Sequence, residues 1–157
     1  AMEILRPLVN MEGIRSCSRP ACEKFNMESE DTEARNRVIY QAYGSRQSRD
    51  ATFFAFHKSW NIIAAHEGES DGLIPLSSAL WQPSLASSDG KKKKQIVQYQ
   101  IPFPADHTDQ MGWWNLNELH KTTLLNVKLA RMKNTYETLI KNVYLKMAVD
   151  AQKMYAS

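Results

Sequence analysis

The sequence predicts an α/β protein that ends in a long amphipathic helix. Two strand-like segments and a tail free of Gly and Pro carry that reading. Residues 37–43, RVIYQAY, have the β-branched and aromatic content of a strand, and Gly44-Ser45 ends it. Residues 95–101, QIVQYQI, alternate polar and apolar side chains as a strand does, and Pro102 and Pro104 close it. Between residues 121 and 155 there is neither Gly nor Pro. There Leu125, Leu129, Met132, Tyr136, Leu139, Val143 and Met147 recur at spacings of three and four, the mark of one amphipathic helix. Roughly thirty residues at about 1.5 Å each span on the order of 45 Å, more than a small domain needs. Packing onto its own domain is the first explanation of such a helix, and contact with another chain the second.

The remaining elements follow in order. Pro7, Gly13 and Pro20 interrupt residues 1–36, and residues 28–31 form an acidic stretch, so this segment reads as short helices and loops with a turn at 28–31. Phe53, Phe54, Phe56 and Trp60 suit a short buried helix over residues 51–60, with a strand as the alternative. The apolar run Ile62-Ile63-Ala64-Ala65 reads as a short buried strand stopped by the turn from Gly68 to Gly72. Pro75 opens a short helix over residues 76–81. The run Lys91-Lys92-Lys93-Lys94 follows the turn formers Ser87-Ser88-Asp89-Gly90 and reads as a solvated loop.

Composition narrows the function classes. A chain of 157 residues, 43% hydrophobic and 24% charged, is of a size and balance for one ordinary globular domain. No stretch approaches the roughly 18 apolar residues of a membrane span, and Ala1-Met2-Glu3-Ile4-Leu5-Arg6 does not read as a signal peptide. The net charge of +3 is owed to the lysine run, which argues against a broad nucleic-acid face. Cys17 and Cys22 lack the further ligands of a zinc site, and two cysteines are too few to decide between a disulfide and two thiols.

One stretch points to chemistry. Gly68-Glu69-Ser70-Asp71-Gly72 satisfies the G-x-S-x-G pattern of a nucleophile elbow, but the elbow needs a strand-to-helix turn directly around its serine. Pro75 pushes Ile74 away from helical angles and keeps the chain extended where that helix should begin. Asp71 is the better functional residue, at a turn that displays side chains and is relieved by two glycines. An aspartate there accepts a hydrogen bond from a histidine and leaves its second ring nitrogen to serve as base. Of the four histidines, His57 and His66 lie in or beside the preceding element and His120 at the start of the long helix. His107 alone sits in a loop just after the second strand.

Residues 67–81, EGESDGLIPLSSALW, resemble the catalytic-acid segment of bacterial and fungal triacylglycerol lipases, an N-D-G-L-V-P type turn followed by a small-residue helix. Residues 105–113, ADHTDQMGW, resemble their catalytic-histidine loop, D-H-x-D-Q-x-G. Phe25-Asn26 and residues 37–43 are similar to the end of the lid region and the strand after it, so the resemblance covers roughly residues 17–116. It implies an α/β-hydrolase portion over residues 37–116, preceded by a lid-like or linking segment at 1–36 and followed by the long helix at 117–157. It assigns Asp71 as the triad acid and His107 as the general base, and implies a secreted protein if the likeness extends to location. It also suggests a structural calcium ion held by Asp109 and Asp50, for which oxygen ligands suit a hard cation. Asp109 has the alternative of capping the helix that follows. Trp81 and the pair Trp113-Trp114 either line an acyl pocket or complete the core. Met132 and Met147 read as packing residues and His120 as a surface residue.

The expected function is a carboxylic ester hydrolase acting on lipids, in which Asp71 and His107 serve a serine carried by a second chain or missing hydrolase half. The alternative is a non-catalytic, lipase-derived interaction subunit of a larger protein assembly. A partial sheet exposes strand edges, and this favours a complex over a free monomer.

Overall fold

The structure, a computed structural model, describes residues 15–16, 18–113 and 126–156, with side chains in the last segment from residue 131 to 155. Pro20 in the first turn and ion pairs one turn apart, Arg19 to Glu23 at 2.8 Å and Arg35 to Asp31 at 3.1 Å, support a helix over Arg19–Arg35, α1. The acidic stretch at 28–31, expected as a turn, lies inside it. No Gly or Pro occurs from residue 21 to 43, and nothing stops the helix before Asn36 turns extended. Strand β1 covers Gln41–Gly44, a 3₁₀ turn Phe54–Phe56, helix α2 His57–His66 and helix α3 Leu76–Leu80. Strands β2 (Ser84–Ala86), β3 (Lys93–Gln95) and β4 (Val97–Gln100) follow, then a 3₁₀ turn Asp109–Met111 and helix α4, Asn126–Ala156. The chain is thus of mixed α and β class, with the expected C-terminal helix. Among the described residues no helix is long and apolar enough to cross a membrane.

The chain divides into two compact units. In the first, residues 1–38 with 84–95, α1 packs on the antiparallel hairpin β2–β3, which sets Leu85 opposite Lys94. Leu85 is fully buried. Glu30 accepts the Ala86 N–H at 3.0 Å, and Asp31 accepts the N–H and hydroxyl of Ser88, both at 2.8 Å. Lys91 and Lys92 are exposed, as a solvated loop requires, but Lys93 and Lys94 belong to β3. The Lys94 ammonium donates to the carbonyls of Glu33 (2.6 Å), Asn36 (3.0 Å) and Val38 (2.9 Å) and to Asn36 Oδ1 (2.7 Å), tying down the C-terminal end of α1. Desolvation there lowers its pKa. Cys22 is an exposed thiol 3.7 Å from the Ser16 carbonyl; Cys17 lies outside the described residues.

The second unit, residues 39–83 with 96–157, is built on the parallel pair β1–β4, in register from Gln41 opposite Val97 to Gly44 opposite Gln100. Because strand side chains alternate, the pair has two unlike faces. On the Gly44 face lies α3, so close that a Cβ on Gly44 would stand 2.8 Å from Leu76 Cδ1. Gln98 on that face donates to the carbonyls of Leu80 (2.8 Å) and Trp81 (3.2 Å), closing the helix end. On the other face the Tyr43 and Tyr99 rings meet at 5.5 Å, and α4 covers them, with Lys146 4.9 Å above Tyr99 and Met154 Sδ 3.3 Å from Gln41 Nε2. Helix, sheet and helix are stacked in three layers. Each strand keeps one lateral edge without a neighbouring strand among the described residues.

Several expectations change: the buried helix expected over residues 51–60 is the 3₁₀ turn and the first part of α2, with no buried residue in either, and the single strand expected over 95–101 is divided, Gln95 ending β3 and Val97–Gln100 forming β4. Ile62 to Ala65 form no strand but lie within α2, where the backbone satisfies itself without a ladder partner, and Ile62 stays 55% exposed. On α4 the buried residues are Tyr136, Ile140 and Val143, with Met132, Met147 and Met154 half-buried. Ile140 replaces Leu139 in the stripe; Leu125 and the Leu129 side chain lie outside the described residues.

Candidate acid and base site

The turn around Asp71 is fixed largely by Asp71 itself. Gly72 takes φ +94°, where a side chain is strained, and the main chain closes on itself with a bridge between Ser70 and Pro75. Asp71 Oδ1 accepts the N–H groups of Leu73 (2.9 Å) and Ile74 (2.7 Å), an aspartate capping its own turn. Its other oxygen, Oδ2, accepts from His107 Nδ1 at 2.8 Å and from Gln110 Nε2 at 2.7 Å. Four donors on two oxygens match the capacity of an ionised carboxylate. Asp71 is 3% exposed, so this complete set of partners offsets the cost of burying it.

His107 arrives from a loop with its own internal bracing. Asp106 Oδ1 accepts the N–H groups of Thr108 (2.9 Å) and Asp109 (3.0 Å) and the Thr108 hydroxyl (2.7 Å), while Asp109 Oδ2 accepts the Asp106 N–H at 2.7 Å. That reciprocal pair has the hydrogen-bond pattern of a capping box over D-H-T-D, just ahead of the 3₁₀ turn, whose own N-cap is Thr108. Asp106 Oδ2 also takes the Phe53 N–H at 2.7 Å, joining the loop to the aromatic segment before α2. The His107 N–H donates to the Asp71 carbonyl at 2.9 Å, so backbone and side chain both register the two residues. A carboxylate carries no proton to give, and Nδ1 is therefore the protonated ring nitrogen. In the neutral imidazole Nε2 then keeps its lone pair, on a side chain 37% exposed. The arrangement can take a proton at Nε2 while Asp71 stabilises the resulting imidazolium.

An aromatic wall adjoins the imidazole. Phe56 meets His107 edge to face at 6.2 Å, Phe53 meets Phe56 at 5.6 Å, and Trp113 meets Phe53 at 5.6 Å. Phe54 and Trp113 are more than half exposed, so the wall opens to the surface. Trp81 instead packs on Tyr40 at 5.9 Å. Trp114 and His120 lie outside the described residues. His57 Nε2 is 3.0 Å from the Thr52 carbonyl and His66 ends α2; His107 is the histidine joined to Asp71.

Ser70 is 2% exposed, and its Oγ accepts the Gly72 N–H at 3.2 Å. No helix starts at residue 71; α3 begins only after Pro75. Of the two residues suggested for calcium, Asp109 is fully buried in the capping box, whereas the Asp50 side chain is 79% exposed beside Arg49. Among the described residues no three His, Cys, Asp or Glu side chains gather into a metal-binding group. A calcium ion between Asp50 and Asp109 stays a proposal on which no step below depends.

Asp106 and Gln110 fall in the D-H-x-D-Q-x-G likeness and Trp113 was one of the aromatics considered for a pocket, but the bonds of the first two and the Phe53–Phe56 part of the wall were not read from sequence. The D-x-x-D spacing of a capping box is a usable signal for Asp106. Gln110 is the Q of the D-H-x-D-Q-x-G likeness, but its bond to Asp71 spans 39 residues and has no local signal. No family model, curated protein or solved structure matches the chain.

Proposed function

We propose that this chain provides the acid and base of a carboxylic ester hydrolase acting on acylglycerols, with a serine supplied from beyond the described residues. The observation that carries the reading is the 2.8 Å bond between His107 Nδ1 and a buried Asp71 carboxylate whose other acceptor sites are all used. In the proposed reaction Nε2 takes the serine hydroxyl proton as the serine oxygen attacks the ester carbonyl. Nε2–H then protonates the departing alkoxide; a water that gives its proton to the same nitrogen attacks the acyl-enzyme carbonyl, and the serine oxygen leaves with that proton as the carboxylic acid departs. Asp71 holds the imidazole orientation and balances its charge in both steps. The aromatic wall beside the base, half-buried at Phe56 and exposed at Phe54 and Trp113, suits an apolar acyl group. The open edges of the β1–β4 pair support a further strand-bearing segment or second chain as the source of the serine.

The same open edges favour a second reading, a non-catalytic subunit held in an assembly through its sheet and α4. Fluorophosphonate labelling of the native material separates the two. A labelled serine in the chain's full-length context or in a co-purifying chain, with ester turnover falling about 10³- to 10⁴-fold in Asp71→Asn and His107→Ala, supports the hydrolase. An unlabelled assembly without measurable esterase refutes it.

A further inference from the structure

We infer that α4 clamps the histidine loop through Tyr136 and Tyr144, and that Gln110 is the positioning residue that transmits this clamp to Asp71. The inference deepens the ester-hydrolase reading and rests on it for its chemical meaning. Its geometry is independent of that reading.

The Asp109–Met111 turn is a single turn of 3₁₀ helix, braced on its N-terminal side by the Asp106 and Asp109 carboxylates. Two tyrosines of α4 fix it from outside. The buried Tyr136, its ring edge-on to Phe103 at 6.5 Å, donates its hydroxyl to the Asp109 carbonyl. Tyr144, two turns further along α4, donates to the next carbonyl, that of Gln110, at 2.8 Å. Consecutive carbonyls held by one rigid helix define both the position and the rotation of the peptide between them. The Gln110 side chain leaves that peptide and donates to Asp71 Oδ2 at 2.7 Å, on the same oxygen that receives His107 Nδ1. Oδ1 is held by the acid's own turn, so at Oδ2 Gln110 supplies the restraint on the carboxylate plane that does not come from the imidazole itself. With that plane set, the Nδ1–H bond aligns and the tautomer with its lone pair on Nε2 is favoured.

Nitrogen-15 NMR of His107 in the full chain tests this, because it reads the ring directly and requires no serine. Tautomer and exchange of the Nδ1 proton are compared for wild type, Tyr144→Phe, Gln110→Leu and the double variant, alongside unfolding midpoints. Tyr144 is 52% exposed, so removing its hydroxyl leaves packing intact. The expected result is Nδ1-proton exchange about tenfold faster in each single variant, at an unchanged midpoint in Tyr144→Phe and at a lowered midpoint in Gln110→Leu, which takes one donor from the buried Asp71 carboxylate. The double variant should be no worse than Gln110→Leu alone, as for two members of one path. Wild-type exchange in both single variants overturns the inference. So does acceleration in Tyr144→Phe that merely follows a loss of stability, which assigns the tyrosines to general support of the fold. A failed fluorophosphonate experiment removes the hydrolase reading and leaves the ring-proton result standing.

Discussion

Replacing Gly72 by Ala sets two costs on the turn that carries Asp71, and the structure separates them. The first is conformational: φ +94° lies where an L side chain is strained, a cost of about 1–2 kcal/mol. The second is steric. The added Cβ would stand 2.6 Å from Thr52 Cγ2 and 3.2 Å from Phe56 Cβ, against roughly 3.5–4.0 Å for a relaxed carbon contact. Thr52 is fully buried with its hydroxyl bonded to the Ser48 carbonyl at 2.9 Å, so it cannot rotate aside without losing that bond. Overpacking of this kind costs about 1–3 kcal/mol, giving about 2–5 kcal/mol in all for Gly72→Ala. Gly68 is the control. Its φ is +89°, yet nothing lies within 4 Å of its Cβ position, so Gly68→Ala pays about 1–2 kcal/mol for conformation alone. The unfolded-state entropy change is the same for both and cancels from the comparison. Denaturant unfolding followed by tryptophan fluorescence should therefore place Gly72→Ala lower than Gly68→Ala by about 1–3 kcal/mol. Equal losses would refute the close packing of Thr52 and Phe56 against this turn.

Other perturbations probe other parts of the molecule. Asp89 is pulled from its ordinary 3.8 to about 2, chiefly by the Ser87 hydroxyl at 2.6 Å, then the Lys91 N–H and Arg35. A depressed carboxylate stabilises fully above its unfolded pKa and loses that contribution as pH falls through the folded one. The first unit should thus weaken between about pH 4 and pH 2 by circular dichroism, and Asp89→Asn should flatten that profile. Lys94→Met removes the donor shared by three carbonyls and Asn36 Oδ1 and should cost about 1–3 kcal/mol in denaturant titration, whereas Lys91→Met should be nearly neutral. Ile140→Ala, at a position 6% exposed, should cost about 2–4 kcal/mol, and Leu139→Ala, at 39% exposed, less than about 1. The reverse order in thermal unfolding would show that α4 presents a different face.

Some of this protein was written locally. The Gly- and Pro-free tail sufficed to predict α4, because backbone dihedral preference and an apolar stripe act within a few residues of each other. The turn of residues 68–75 was legible for the same reason: two glycines, an aspartate that caps its own loop and a proline that delays the next helix. Asp71 and His107 were chosen by position in that local grammar. Their meeting at 2.8 Å, across 36 residues, depends on how β1, β4 and the loops beyond them are brought together.

Tertiary packing decided the rest. Ile62 to Ala65 could serve a strand or a helix as an isolated run, and in the folded chain they continue α2. Lys94 looks like its three lysine neighbours until the end of α1 surrounds it with carbonyls. Gln110 carries no local sign of its bond to Asp71, and Tyr136 and Tyr144 read as helix residues whatever their hydroxyls meet. Local dihedral preferences specify turns and helices; which donor reaches which distant acceptor is set only when folded elements converge and buried polar groups must find partners.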